Sequence, residues 1–238
     1  MTRLLEVSTY QITTFKTLFE ILCNINIYVD IIFDLENDDD KIMKINQLDS
    51  RKSLFVNLEL HNNCFVKFNG SVKKFVTRIE ASAFKKVLKF IDTNTVLLNM
   101  YIEDDDEKVL KIDVEKMSGF ASKITYAINL FDVEENICLE VESESHLLLP
   151  LQEFNEICSK MKLIDYELIK LEYQDCKFIM KCNNKKISKT VEFSDNWIVK
   201  KELRNRHATF DVNTFILFEN MSNLSDTIKI SMNETILM

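Results

Sequence analysis

Six cysteines and three histidines are the side chains of this chain with the most reactive chemistry. The cysteines stand at positions 23, 64, 138, 158, 176 and 182 without forming a CxxC pair, and the histidines are His61, His146 and His207. A structural zinc site usually uses such pairs, and a nucleophilic triad needs a serine or cysteine beside a histidine in a recognisable motif. Neither pattern occurs. We therefore expect reduced, buried thiols in an intracellular protein, histidines with structural roles, and no zinc.

Carboxylates are too abundant to indicate catalysis, because 38 acidic residues produce pairs by chance. The runs 38–40 and 104–106 are each three consecutive aspartates, which raises the question of calcium or magnesium binding. Each run lies where a hairpin must turn and lacks the glycine and terminal glutamate of an EF-hand loop, so solvated turns explain both. The sequence predicts no catalytic residue, no metal, no cofactor and no enzymatic activity.

Phosphate binding through glycine-rich loops is also excluded. The chain has two glycines and one proline, with neither GxGxxG nor GxxxxGK. Its formal net charge of −8 argues against nonspecific wrapping by nucleic acid. Any contact with nucleic acid must therefore come from a local basic patch.

A predicted helix over residues 81–91 carries the clearest basic patch. Apolar residues at 84, 87, 88 and 91 define one face of this helix. Lys85, Lys86 and Lys89 fall on the other face, within an arc of roughly 100°. These lysines are either phosphate contacts or ordinary solubilising side chains.

Hydrophobic periodicity indicates that the elements around this helix occur twice in the same order. In the first half it predicts a helix at 14–24, a hairpin of 27–35 and 41–46, strands at 54–60 and 64–68, the helix at 81–91, a hairpin of 95–103 and 107–115, and a strand at 121–131. In the second half it predicts a strand at 146–149, a helix at 151–163, a hairpin at 167–182, strands at 185–193 and 207–211, a helix at 212–221 and a strand at 227–232. Two similar halves imply a pseudo-symmetric molecule.

Residues 132–145 (DVEENICLEVESES) are acidic, have no helical stripe and read as an extended connector between the halves. The N-terminus alternates apolar and polar residues, unlike a signal peptide, and no apolar run is long enough to span a membrane. We expect a soluble protein without a membrane segment.

Five segments match a known pattern in order and spacing: IMKINQLDSRKSLFVNLEL at 42–60, FKKVLKFI at 84–91, FDVEE at 131–135, LPLQEFNEIC at 149–158 and ATFDVNTFILFENMSNLSDTIKISM at 208–232. They resemble the PCNA (proliferating cell nuclear antigen) family of ring-shaped DNA sliding clamps. The resemblance implies an α+β DNA-clamp fold with two similar domains, each with two helices on antiparallel sheets. The implied domains are 1–131 and 146–238, joined by the connector 132–145.

For function, the resemblance implies a DNA polymerase processivity factor. Protomers would close head to tail into a homotrimer around duplex DNA, bound without sequence preference, with helices lining the hole and sheets outside. The implied partners are DNA polymerase, other replication and repair proteins with clamp-binding motifs, and a clamp loader. The implied location is intracellular, in the nucleus or at a viral replication site.

The resemblance also implies three sets of site residues. The DNA-binding set is Lys16, Lys85, Lys86, Lys89, Lys160 and Lys162. The subunit interface pairs the strand containing Phe120, Ile124, Tyr126 and Ile128 with the strand of the next protomer containing Lys185, Ile187, Lys189 and Val191. The pocket for partner peptides is lined by Leu48, Phe55, Ile137, Leu139 and Leu237.

Some positions depart from the family pattern. Uncharged or acidic residues stand where positive ones are common, so contact with DNA should be weak and salt dependent: Thr17, Cys23, Glu156, Ser159, Asn213 and Asn220. In the pocket, Ser53 and Asn136 replace apolar residues and Lys52 replaces a frequent histidine, which predicts altered partner preference. Gln174 stands at a lysine that the family uses for modification. The chain also ends too soon after the fourth helix for the strands that complete the family's second sheet.

Two alternative functions fit the same fold. A checkpoint-type clamp subunit would complete a heteromeric ring and would lack edges complementary to itself. A monomeric accessory factor for replication or transcription would keep the fold without closing a ring. Self-association separates the homotrimer from both alternatives.

Overall fold

The computed structural model describes residues 2–37, 40–48, 55–117, 122–133, 146–164, 167–174, 177–183, 186–193, 198–199, 206–213 and 226–231. The chain divides into two compact units, Met1–Leu139 and Glu140–Met238. The division falls inside the predicted connector. The exact domain limits at 131 and 146 stay predictions.

In its described residues, unit 1 is built on one antiparallel sheet with two helices. Its elements are β1 (Arg3–Thr9), α1 (Ile12–Ile25), β2 (Tyr28–Asp34), β3 (Ile42–Leu48), β4 (Phe55–His61), a 3-10 turn (Asn62–Cys64), β5 (Lys67–Gly70), β6 (Lys74–Glu80), α2 (Ala81–Leu88), β7 (Thr95–Glu103), β8 (Asp106–Lys116) and β9 (Lys123–Phe131). The nine strands follow the order β4-β3-β2-β6-β9-β8-β7-β1-β5.

Unit 2 has two smaller antiparallel sheets in the described part of the chain. Its elements are β10 (His146–Pro150), α3 (Leu151–Ile164), β11 (Leu168–Gln174), β12 (Lys177–Asn183), β13 (Ser188–Phe193), β14 (Ile198–Val199), β15 (Arg206–Asp211) and β16 (Thr227–Ser231). The sheet orders are β14-β10-β16 and β13-β12-β11-β15. Val212 and Asn213 are helical, and the rest of the helix predicted over 212–221 lies outside the described residues.

The strand orders confirm the internal repeat. The order β13-β12-β11-β15 repeats β4-β3-β2-β6, and β14-β10-β16 repeats β5-β1-β7. In both units the first helix directly follows the first strand. Among the described residues, unit 2 has no counterpart of β8 and β9.

Helix α1 forms because its apolar residues recur at helical spacing and bury one face. Phe15, Phe19 and Leu22 lie on that face, and each is at least 96% buried. The Phe19 ring lies 4.5 Å from the Phe84 ring of α2, centroid to centroid, and 4.5 Å from that of Phe15. This aromatic contact holds the two helices side by side.

Helix α2 ends three residues before the prediction. The amide of Phe90 donates to the Val87 carbonyl and the amide of Ile91 to the Leu88 carbonyl, so the last turn is tightened by 3-10-type bonds. Phe90 then points outward and is 52% exposed, while Ile91 is buried. The apolar pattern at 84, 87, 88 and 91 is therefore satisfied by a helix followed by a turn.

The core of unit 2 lies between α3 and its sheets. Buried residues of α3, including Phe154, Cys158 and Met161, belong to one cluster with Leu171 and Met180 of β11 and β12. Cys158 and Cys182 are buried, as predicted for the thiols, whereas Cys23 and Cys64 are only partly buried. The cysteines of the described part, Cys23, Cys64, Cys158 and Cys182, are all free.

Three strands differ from the predictions. The strand predicted over 64–68 is a 3-10 turn followed by β5, and β6 and β14 were not predicted. β5 runs close to β1 at Gly70, where a Cβ atom would lie 2.8 Å from the Leu4 carbonyl oxygen and 3.1 Å from Leu35 Cδ2. A side chain there would clash, which gives one of the two glycines its structural role.

Candidate nucleic-acid interface and strand edges

The three lysines of the basic patch lie on the exposed face of α2 and just after it. Lys85, Lys86 and Lys89 are all exposed, whereas Phe84 and Leu88 opposite them are 1% exposed. The Lys85 ammonium donates to the Asn24 side-chain oxygen of α1, 2.8 Å away. Cations at the C-terminal end of a helix also interact favourably with its dipole. Lys86 and Lys89 present their charges to solvent and are the strongest phosphate-binding candidates.

Lys16 lies on α1, close to α2. Its ammonium is part-buried and donates to the carbonyl oxygen of Ile91, 2.8 Å away. The bond joins α1 to the turn that ends α2. Lys16 therefore belongs to the same region as the α2 lysines, but its charge already has a structural partner.

The exposed face of α3 carries both signs of charge. Lys160 is exposed and its ammonium lies 3.4 Å from the Glu156 carboxylate, one turn earlier. Glu153 is also exposed in the first turn. The Lys162 side chain lies outside the described part. The weak phosphate attraction that the sequence implies for this helix stays a prediction.

Strand β9 offers an open edge in unit 1. It pairs with β8 from Lys123 to Asn129, and it meets β6 only at Leu130 and Phe131. Among the described residues, no strand pairs with the other edge of β9 before Leu130. Unpaired main-chain groups along such an edge are a template for a further strand.

The side chains predicted for this interface lie on the inward face of β9. Ile128 is 4% exposed, and Ile124 and Tyr126 are half-buried. Burial raises the pKa of the Tyr126 hydroxyl. Phe120 lies outside the described residues. The part of β9 that is available to a partner strand is therefore mainly its backbone.

Phe90 was missed by the sequence prediction and lies beside this edge. Its ring is 5.3 Å from the Tyr126 ring, centroid to centroid, and 52% of the residue is exposed. An aromatic residue following Lys89 interrupts the polar face of the predicted helix, and that interruption was the available signal. An exposed aromatic ring beside an open strand edge is a candidate contact with another protein.

Strand β13 offers an open edge in unit 2. It pairs with β12, and the described part of the chain shows no strand on its other side. Val191 packs partly against the core of unit 2, Lys189 is half-buried, and Ile187 just before the strand is 51% exposed. Lys185 lies outside the described residues.

The predicted peptide pocket is described only at its first two residues. Leu48 and Phe55 are directly opposite each other at the ends of β3 and β4. Their side chains, and Ile137, Leu139 and Leu237 altogether, lie outside the described part. The pocket therefore stays a prediction.

The described residues hold little reactive chemistry. Burial, which outweighs the opposing effect of Lys85, raises the pKa of the Cys23 thiol to about 11. A thiol with that pKa is almost fully protonated near neutral pH and is a poor nucleophile. Within the described ranges, no three His, Cys, Asp or Glu side chains group as metal ligands would. The same ranges contain no helix long and apolar enough to span a membrane.

Among the solved structures that share this architecture are two PCNA structures. The crystal structure of the proliferating cellular nuclear antigen from Entamoeba histolytica matches with a TM-score of 0.73 at 16% identity, over 97% of this chain and 89% of that chain. The PCNA2-PCNA3 complex from Sulfolobus tokodaii matches with a TM-score of 0.74 at 18% identity, over 96% of this chain and 89% of that chain. No protein-family model and no curated protein matches the sequence. The chain has a PCNA-like clamp fold, as the sequence resemblance predicted.

Proposed function

We propose that this chain is the protomer of a DNA sliding clamp, a ring that encircles duplex DNA and keeps DNA polymerase and repair proteins on it. The observation that carries the proposal is a pair of open strand edges, β9 in unit 1 and β13 in unit 2. Because the two edges differ, one protomer offers the first edge and its neighbour offers the second. Contacts of this head-to-tail kind form closed rings when the rotation between neighbours closes.

Closure by strand pairing satisfies the main-chain groups of both edges and extends the two sheets into one. Apolar side chains lie beside both edges, with Phe90 next to β9 and Ile187 next to β13, each about half exposed. Burying these side chains adds hydrophobic stabilisation to the backbone pairing. Ring closure would therefore bury apolar side chains that are about half exposed in the single chain, where the Phe90 ring already contacts that of Tyr126.

The lysines of α2 supply the contact with DNA. Lys86 and Lys89 are exposed, and lysine contacts to phosphate carry no sequence information. With a net charge of −8 on the chain, we expect the contact to be weak and to weaken further with salt. A ring tolerates weak contact because its topology keeps it on DNA. This activity requires no catalytic residue and no cofactor.

The absolute mass in solution tests the proposal. We expect light scattering over a concentration series to give a discrete trimer that dissociates on dilution. A second measurement on closed circular and linear DNA should show retention on the circle and loss from the free ends of the line. A monomer at every concentration, without retention on the circle, would overturn the homotrimeric clamp.

A heteromeric ring is the second candidate, and one observation favours it. The matching Sulfolobus tokodaii structure is a complex of two different PCNA subunits. A chain of this kind would stay below trimer mass alone and would reach it only when mixed with a second clamp subunit. A monomeric accessory factor would not assemble under either condition.

A further inference from the structure

Asp113 is a completely buried carboxylate in β8. Its exposed fraction is 0%. A buried charge is strongly unfavourable unless nearby groups compensate it. In the described part of the chain, the two polar side chains that contact Asp113 both belong to β9. Thr125 Oγ1 donates to Asp113 Oδ1 over 2.7 Å, and Lys123 Nζ lies 2.7 Å from Asp113 Oδ2.

The register explains how one carboxylate reaches both partners. Thr125 is directly opposite Asp113, and Lys123 is the diagonal neighbour two residues earlier. On the other side of β8, Asn99 of β7 is opposite Asp113, and its side-chain oxygen accepts a hydrogen bond from Ser8 of β1. Polar side chains thus form a row across four strands. Such a row fixes register, because slippage would leave the buried carboxylate without its partners.

Main-chain pairing alone holds β9 less securely than it holds an interior strand. Within the described residues, its first residues pair on one side only, with β8, and β6 joins it only at Leu130 and Phe131. Asp113 contacts the strand at the opposite end, at Lys123 and Thr125. The hydrogen bond to Asp113 also raises the pKa of the Lys123 ammonium.

We propose that Asp113 is the positioning residue of the β9 edge. It holds the first residues of β9 straight against β8, so that the open edge can pair with a second copy of this chain. The assembly part of this inference rests on the proposed function. The local part, that Asp113 holds β9 in place, can be measured in a monomer.

The sheet contains a matched control. Lys111 of β8, on the same face as Asp113, forms an ion pair with Glu103 of β7, whose side chain is 12% exposed. That pair joins two interior strands: Lys111 is opposite Ala127 of β9, but Glu103 lies on β7, which β8 separates from β9. The variants Asp113→Asn and Glu103→Gln therefore each neutralise one largely buried carboxylate in a lysine pair, but only the first loosens the edge strand.

The experiment measures hydrogen exchange of peptides covering residues 123–129, together with the dilution at which the assembly dissociates. We expect Asp113→Asn to speed exchange of β9 at least tenfold and to weaken self-association at least tenfold. Glu103→Gln should leave both quantities within twofold of the original chain. Thr125→Val removes the hydrogen bond to Asp113 and retains a β-branched residue, so its effects on exchange and self-association should be intermediate. This variant replaces Asp113→Asn in the experiment if Asp113→Asn fails to fold.

The outcomes separate the two proposals. Unchanged exchange of β9 in Asp113→Asn, or an equal acceleration in Glu103→Gln, would overturn the role of Asp113. If the original chain never self-associates, the ring proposal fails, and the exchange measurement still decides whether Asp113 holds β9. Faster β9 exchange with unchanged self-association would overturn the assembly part of the inference.

Discussion

The ammonium of Lys16 donates a hydrogen bond to the main-chain oxygen of Ile91, 2.8 Å away, and so joins α1 to the turn that ends α2. The sequence resemblance predicts a phosphate contact for this lysine. A charge that is part-buried and hydrogen-bonded within the protein has less to offer a ligand than one exposed to solvent. Lys86 and Lys89 are therefore stronger candidates for the proposed DNA contact than Lys16.

Lys16→Met should lower the free energy of unfolding by about 1 kcal/mol, because it removes a charge-assisted hydrogen bond and leaves the Ile91 carbonyl without that donor. Denaturant unfolding measures this change. Lys86→Met is the matched control and should change stability by less than about 0.5 kcal/mol, since its side chain is exposed. A Lys16→Met variant with unchanged stability and weaker retention on circular DNA would instead support the phosphate contact.

Reversing the charge of Lys85, Lys86 and Lys89 together to glutamate should abolish stimulation of a DNA polymerase on a primed circle. The change replaces attraction to phosphates by repulsion, whereas the open strand edges are untouched, so the solution mass should not change. The control reverses Lys73, Lys74 and Lys108, which are also exposed in unit 1 but lie outside the helices. An equal loss of polymerase stimulation in both triple variants would mean that the effect depends only on the net charge of the chain.

Phe90→Asp should prevent assembly without unfolding the chain. The substitution places a charge where the proposed ring buries an aromatic side chain, and an unpaired charge in an interface is strongly unfavourable. Light scattering should show a monomer at concentrations at which the original chain is a trimer. Val66→Asp controls for a new charge at another exposed apolar residue, 57% exposed, and should leave the mass unchanged. A Phe90→Asp variant that assembles as well as the control would contradict ring closure at this edge.

Helices and hairpins with one buried face could be predicted from the sequence, because the spacing of their apolar residues is visible within a short stretch of chain. The helix predicted at 14–24 is α1, and the hairpin predicted at 95–103 and 107–115 is β7 and β8 with almost the same limits. The repeat could be read for the same reason. The order of local patterns in both halves predicted a pseudo-symmetric molecule, whereas the clamp fold was predicted by the resemblance of five segments to the PCNA family.

Features that depend on distant residues could not be read in this way. β6 was missed although Phe75, Thr77 and Ile79 alternate inward, because a threonine in the middle weakens the apolar signal. Nothing local to Asp113 predicts a buried carboxylate, since both of its partners arrive from the next strand. The resemblance that predicts a phosphate contact for Lys16 likewise gives no sign of its bond to the carbonyl of Ile91, 75 residues away in the sequence.

The loss of stability of unit 2 at acid pH should depend on Glu172. Its carboxylate, 12% exposed, lies between Lys170 and Lys181, which are directly opposite each other on β11 and β12. Two lysines facing each other repel, and the carboxylate offsets that repulsion. Hydrogen bonds from Lys170 and Lys181 lower the pKa of Glu172 below its ordinary value of 4.5.

A lowered pKa in the folded state means that the unfolded chain binds a proton at this carboxyl first as the pH falls. The stabilisation is therefore complete above about pH 5 and is lost as the pH falls through the folded-state pKa. Glu172→Gln should be less stable than the original chain by about 1 kcal/mol at pH 7, allowing for the half-exposed lysines. The difference should shrink towards zero near pH 3. Glu192→Gln, which breaks the exposed pair with Lys177, should have no measurable effect at either pH. Urea unfolding across this pH range measures the free energy of unfolding of both variants. A difference between Glu172→Gln and the original chain that stays constant down to pH 3 would show that the lysines do not hold this carboxylate in its charged form.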